Sequence, residues 1–300
     1  MTVPVWNTEA LHDGTLLTLK SDDLEPPTLQ VRSRRWLQRA VAYGLAHDQF
    51  RVHYQPIIDI KTEQIVGFEA LARWFHPLLG EIRPDEFIRA LEKTHLLTSL
   101  MDFMLGRVLE EISKLEGGRV FRICINVDPA DLARPRVVDM LISAASLMPR
   151  NVTMTLEFTE RGELLDSAFT IKSLGRIRRA GIKLAIDDFG TARSNIDLLQ
   201  RVRFDFLKID RRYIAQLGEG GWALFRTIVD IARHFDLIVV AEGVETPFQH
   251  AMLISAEVEL GQGYLYGRPA SATDWFGASV SSVMMPSSEI LFSPLRHEFG

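Results

Sequence analysis

From Phe50 onward, short runs rich in apolar, β-branched and aromatic residues alternate with longer stretches in which apolar residues return at helical spacing. The short runs predict strands at Phe50–Ile58, Gln64–Arg73, Phe121–Val127, Thr153–Phe158, Lys183–Asp187, Phe206–Ile209, Leu237–Ala241 and Glu259–Tyr264. Between them, Pro84–Lys93, Leu100–Leu115, Val137–Ala145, Ser167–Ala180 and Trp222–Phe235 read as crossover helices. Strands alternating with helices predict βα units and a mainly parallel sheet. The first two strands are the exception. Only Asp59 to Glu63 separate them, too short for a crossover helix, so they are expected to pair antiparallel.

Eight strands in 300 residues match the size of a closed α/β barrel, roughly 250 residues. The expected fold is therefore α/β, a modified TIM-type (β/α)8 barrel with the first strand antiparallel. The barrel domain is expected over residues 33–275. Residues 1–32 carry Ser21-Asp22-Asp23 and Glu25-Pro26-Pro27 and read as an extension or linker, and 276–300 as a weakly patterned tail. Arg32 to Ala46 repeats apolar residues at helical spacing, with Arg32, Arg34, Arg35 and Arg39 on an expected solvated face.

Composition narrows the function. Apolar residues at 47% describe an ordinary globular chain, and a net charge of −5 argues against binding a nucleic acid polymer. The one cysteine, Cys124, lies in an apolar run and is expected to be a small buried hydrophobe; disulfides and Cys-based zinc sites are excluded. No run approaches about 18 apolar residues. Met1 to Leu19 also lacks a basic segment followed by an apolar one, so a cytoplasmic location without membrane attachment is expected.

Core strands should be apolar, yet polar residues recur where these end: Gln55, Glu69, Asn126, Glu157, Asp187 with Asp188, Lys208, Glu242 and Gln262. From Glu157 the separations run 30, 21, 34 and 20 residues, about one βα unit each, so a barrel brings these side chains to one face. Five carboxylates in one mouth repel and call for cations. Glu69, Asn126, Glu157, Asp187, Asp188 and Glu242 offer oxygen only, which suits magnesium or manganese over zinc or copper. Two such ions activate water and stabilise displacement at phosphorus; Lys208 and Arg73 add positive charge for phosphate oxygens.

These residues stand in motifs. They are Tyr54-Gln55-Pro56-Ile57, Glu69-Ala70-Leu71-Ala72-Arg73-Trp74, Ile125-Asn126-Val127, Glu157-Phe158-Thr159-Glu160, Asp187-Asp188-Phe189-Gly190-Thr191, Leu207-Lys208-Ile209-Asp210, Ala241-Glu242-Gly243-Val244-Glu245-Thr246 and Gln262-Gly263-Tyr264. From about Gln38 to Pro269 the chain resembles the EAL family of cyclic di-GMP phosphodiesterases. The resemblance implies hydrolysis of this second messenger to linear 5′-pGpG with two Mg2+ or Mn2+ ions. It implies that Glu69, Asn126, Glu157 and Asp187 hold one ion and Asp187, Asp188 and Glu242 the other, with Lys208 at the attacking water or phosphate. Gln55, Arg73, Asp210 and Gln262 would contact substrate, and Glu245 would steady the loop after Asp188. A homodimer formed near that loop is also implied. Where the family continues Gly-Tyr/Phe-Ser-Ser, this chain has Ala192-Arg193-Ser194-Asn195. That change admits a second expectation, a receptor that binds cyclic di-GMP or a protein partner without catalysis.

Overall fold

The computed structural model describes residues 33–92, 94–113, 120–159, 168–190 and 196–276. The extension expected over 1–32, the expected tail beyond Phe276 and the Ala192-Arg193-Ser194-Asn195 segment lie outside these residues.

The first helix, α1 (Arg34–Ala46), begins where the Ser33 hydroxyl accepts a hydrogen bond from the Trp36 amide. It buries Trp36, Leu37, Ala40, Val41 and Gly44, and leaves Arg34, Arg35 and Arg39 exposed, as its pattern predicts. Arg34 also donates to the carbonyls of Ala90 and Glu92. These lie at the end of α2 (Pro84–Leu91), where helix carbonyls lack internal partners.

Strand β1 (Phe50–Asp59) pairs antiparallel with β2 (Ile65–His76), from Phe50 opposite Trp74 to Ile58 opposite Ile65. The short edge strand β3 (Gly80–Ile82) extends this hairpin. Helix α3 (His95–Ile112) then leads to the parallel series. Its strands are β4 (Phe121–Asn126), β5 (Val152–Thr159), β6 (Lys183–Phe189), β7 (Phe206–Ile209), β8 (Ile238–Ala241) and β9 (Leu260–Gln262). Helices α4 (Pro135–Leu147), α5 (Ala168–Arg179), α6 (Ile196–Arg201), α7 (Arg211–Ala215), α8 (Trp222–His234) and α9 (Pro247–Ser255) lie between them. β2 joins β4 in parallel, and β1 closes the circle antiparallel to both β2 and β9. The eight-stranded mixed barrel is the expected one, reversed first strand included.

Two residues of β10 (Ala270–Ser271) add to the outer part of β1, and α10 (Ala272–Phe276) follows. The sequence reading had neither β3 nor β10, nor the short helices α6, α7, α9 and α10. Two- and three-residue strands carry no period, and helices of five to nine residues carry barely two turns. Local start signals exist for two of them, the reciprocal capping of Thr246 and Gln249 around Pro247 in α9 and the Asp210 N-cap of α7.

Strand periodicity of two organises the barrel interior. Ile57, Cys124, Ala185, Phe206, Val240 and Leu260 form an apolar cluster of their own, apart from the large core between helices and barrel wall. Two positions from them along the same strands stand Gln55, Asn126, Asp187, Lys208, Glu242 and Gln262. The apolar layer is thus the floor of the polar one, and Cys124 is buried in it as expected.

The tightest crossing near the mouth is Gly263 over Val244, where an added Cβ would lie 2.1 Å from the Val244 carbonyl oxygen and 2.2 Å from its nitrogen. Replacing Gly263 by Ala is expected to cost ~2 kcal/mol or more by overpacking against backbone. Urea denaturation measures this; a midpoint equal to that of the parent chain would show that the crossing relaxes freely.

Candidate metal centre and active site

Lys208, at the end of β7, is 1% exposed and points up the barrel axis into a cage of carboxylates. Its Nζ lies 2.6 Å from Glu242 Oε1, 2.7 Å from Glu157 Oε2, 3.5 Å from Asp187 Oδ1 and 3.8 Å from Glu69 Oε2. Glu69 is fixed from the other side by two amides. Asn126 Nδ2 donates to its Oε1 at 2.7 Å, and Gln262 Nε2 to its Oε2 at 2.6 Å. Gln262 Nε2 also reaches Gln55 Oε1 at 3.0 Å, and Gln55 in turn donates to the Gly267 carbonyl. Both Gln262 donors are therefore committed, and its buried Oε1 has no partner in the protein.

A bulge in β6 places two neighbouring aspartates in the same mouth. Ile186 pairs with Leu207 and Phe189 with Ile209, so Asp187 and Asp188 together stand opposite Lys208 alone. Asp188 adopts φ +55°, a left-handed conformation that aspartate tolerates better than most residues, and its amide donates to Asp187 Oδ1 at 2.8 Å. In a regular strand adjacent side chains face opposite ways; here both turn toward Glu242. Asp187, Asp188 and Glu242 each offer an oxygen, all within 4.8 Å of one another. A hard divalent cation fits such an all-oxygen donor set.

The charges in this mouth do not balance. Burial alone would lower the Lys208 pKa, but Asp187, Glu157, Glu242 and Glu69 together raise it well above its ordinary value and keep it an ammonium. That one cation does not satisfy its neighbours. Burial pushes Glu157 up to about 8 and Glu242 well above the usual carboxylate range, despite the pull of Lys208. Burial, then Asp187 and Asp210, raises Asp188 to about 6. Glu69 moves the other way: burial opposes its ionisation, but Lys208, Gln262 and Asn126 outweigh it. The cluster therefore favours added positive charge, the property of a metal site.

The structure brings Gln55, Glu69, Asn126, Glu157, Asp187, Asp188, Lys208, Glu242 and Gln262 into one mouth. Arg73 lies at its edge, with Nε 3.5 Å from Glu81 and Nη1 bonded to the Ala72 carbonyl. Asp210 caps α7 by accepting from the Arg212 amide and also hydrogen-bonds Asp188, so it touches the acidic cluster. Glu245 stands apart and exposed, its amide donating to Gln249 Oε1; the loop it was expected to steady lies outside the described residues.

Three neighbours escaped the sequence reading. Cys124 lines the same small cavity as Glu157 from below, Arg212 holds Asp210 at 2.8 Å, and Tyr213 donates to the carbonyl of Gly190. Gly190 has φ +91°, and a Cβ there would meet the Tyr213 hydroxyl at 2.6 Å, so a glycine is required where the chain leaves the bulge. For Arg212 and Tyr213 the available signal was Asp210 as a helix N-cap. Among the described residues no helix is long and apolar enough to cross a membrane.

Comparisons with known proteins agree with this geometry. The family model described as the EAL domain matches residues 34–269. The chain is 34% identical over 267 residues to the cyclic di-GMP phosphodiesterase NbdA of Pseudomonas aeruginosa, covering 87% of this chain and 34% of that protein. With the probable cyclic di-GMP phosphodiesterase PdeD of Escherichia coli it shares 33% identity over 246 residues, 81% of this chain and 46% of that one. The chain thus spans less than half the length of these two curated relatives. Among solved structures, the PaMucR phosphodiesterase in complex with c-di-GMP superposes with a TM-score of 0.73 at 33% identity, covering 79% of this chain and 98% of that chain. A family match running from α1 to the residue before β10, over a barrel whose mouth gathers these carboxylates, places the chain in the EAL-domain, cyclic di-GMP phosphodiesterase family.

Proposed function

We propose that this chain hydrolyses cyclic di-GMP to linear 5′-pGpG with the help of two Mg2+ or Mn2+ ions. The observation that carries this reading is the convergence of Glu69, Asn126, Glu157, Asp187, Asp188 and Glu242 around the buried ammonium of Lys208. Glu69, Asn126, Glu157 and Asp187 would hold one ion, and Asp187, Asp188 and Glu242 the other. When bound, such ions lower the pKa of water and neutralise charge at phosphorus.

The chain's own groups supply position and charge. Lys208 sets a fixed positive charge beside the reacting phosphate, in surroundings where water does not screen it. Gln262 and Gln55 lock the carboxylate of Glu69, and the free Oε1 of Gln262 accepts a hydrogen bond from a water or a substrate N–H or O–H. Arg73 at the rim faces a phosphate oxygen. Tyr264, exposed and covered by the Arg268 guanidinium at 4.1 Å, offers a surface suited to a flat base. Asp210 acts through Asp188, and Glu245 through the loop after it. Exposed Ile196 opens α6 directly after that loop and supports a homodimer contact there. The catalytic unit in this reading is the barrel of residues 33–275.

Product formation from cyclic di-GMP by the purified chain with Mg2+ or Mn2+ tests the proposal. Appearance of pGpG is expected, with Glu69→Ala reducing turnover by at least ~100-fold through loss of a metal ligand. Tight binding of cyclic di-GMP without product would replace this reading with the receptor.

The acidic cluster also sets a pH dependence. Folding raises Glu157 from its ordinary 4.5 to about 8 and Asp188 from 3.8 to about 6, so the folded chain holds these protons more tightly than the unfolded one. Their stabilisation is complete below the unfolded values and is lost as pH rises through the folded ones. In chelator, thermal stability is therefore expected to fall between about pH 4.5 and 8, and saturating Mg2+ to flatten the decline. A melting temperature that rises over that window in chelator would contradict the charge balance described above.

A further inference from the structure

Lys208 does more in this geometry than face a phosphate. An ammonium has three N–H donors, and here two are spent on Glu242 Oε1 and Glu157 Oε2 while the third is left toward Asp187. These oxygens belong to carboxylates that would hold the metal ions. A divalent ion must approach them to about 2.0–2.6 Å, and it meets a resident positive charge already in contact. Lys208 is too buried for water to screen that repulsion, at 1% exposure. Two effects oppose each other: the ammonium keeps the carboxylates together and ionised, but it also competes for their lone pairs. The distances decide between them, because the shortest contacts fall on Glu242 and Glu157, whose oxygens a metal would need.

We propose that Lys208 is an internal counter-cation that sets the metal affinity of the mouth, competing with divalent ions for Glu157 and Glu242. Resting on the two-metal reading above, it gives Lys208 a role separate from any contact with substrate. Metal loading then exchanges one set of positive contacts for another and follows the free divalent concentration, because part of each ion's binding energy goes to displacing Nζ. Lys208 also becomes the residue that holds the cage closed while divalent ions are scarce.

The test is metal binding by the full chain after chelator treatment, measured by titration calorimetry with MnCl2 and by melting temperature with and without MnCl2, for the parent and Lys208→Met. Lys208→Met is expected to bind Mn2+ at least ~10-fold more tightly, because the competing charge is gone. In chelator the same variant is expected to melt lower, because uncompensated buried carboxylates remain. Unchanged or weaker Mn2+ binding by Lys208→Met would overturn the proposal while leaving the metal site in place. No Mn2+ binding by the parent chain would remove the metal reading and this inference with it.

A second measurement needs no variant. The chain has seven lysines, and Lys208 is the one enclosed by the carboxylate cage. With lysine labelled at the ε-carbon, one side-chain NMR signal should shift in step with Mg2+ saturation. All lysine signals staying in place through saturation would overturn the competition.

Discussion

Like charges forced close together govern this molecule's architecture near the mouth. Glu69, Glu157, Asp187, Asp188 and Glu242 come from three strands and the end of a fourth, and bringing them into low-dielectric surroundings is costly unless each is met by donors or cations. The fold answers with specific devices rather than with solvent. Lys208 rises through the centre, Asn126 and Gln262 clamp Glu69, the backbone amide of Asp188 turns onto Asp187, and Arg212 holds Asp210 beside Asp188. These devices leave a deficit of positive charge, and a divalent cation in the all-oxygen cluster of Asp187, Asp188 and Glu242 would make it good. Stability and function draw in opposite directions here, with the apolar floor of Ile57, Phe206, Val240 and Leu260 supplying rigidity beneath a layer that resists being assembled.

Much of this was legible in the chain because a barrel repeats one rule. A period of two in each strand, with polar residues only near one end, indicates both the inward positions and the end at which they gather. Asp59 to Glu63 likewise revealed the reversed first strand by being too short for anything else. What escaped detection has equally definite causes. β3 and β10 are edge additions set by contact with longer strands, and α7 is one turn started by an aspartate cap. The bulge at Asp187 and Asp188 was hidden because paired acidic residues carry no record of backbone φ. The aspartates could be assigned to one mouth only by chemistry, and the conformation that puts both there came from the structure.

The chemistry of the site is better defined than its setting. The two named relatives are more than twice as long as the aligned stretch, so most of their sequence has no counterpart in this alignment. The local difference nearest the site is Ala192-Arg193-Ser194-Asn195, which follows the bulge and Gly190. Tyr213 holds Gly190, at the end of the bulge, to α7, so the geometry of the aspartates is fixed ahead of the change in composition.

The reversed β1 carries one more consequence. In a barrel built wholly of parallel strands, the chain enters at the end away from the mouth. Here Phe50 pairs with Trp74, on the mouth side of Glu69, so α1 delivers the chain to the same end of the barrel as the carboxylates. β10 lies toward that end as well, through the pairing of Ala270 and Ser271 with Tyr54 and His53, and α10 then turns back along the outside of the barrel, where Phe276 packs on Phe68 and Phe121. A change in how α1 meets β1 would therefore act directly beside the entrance and need not be relayed through the barrel wall.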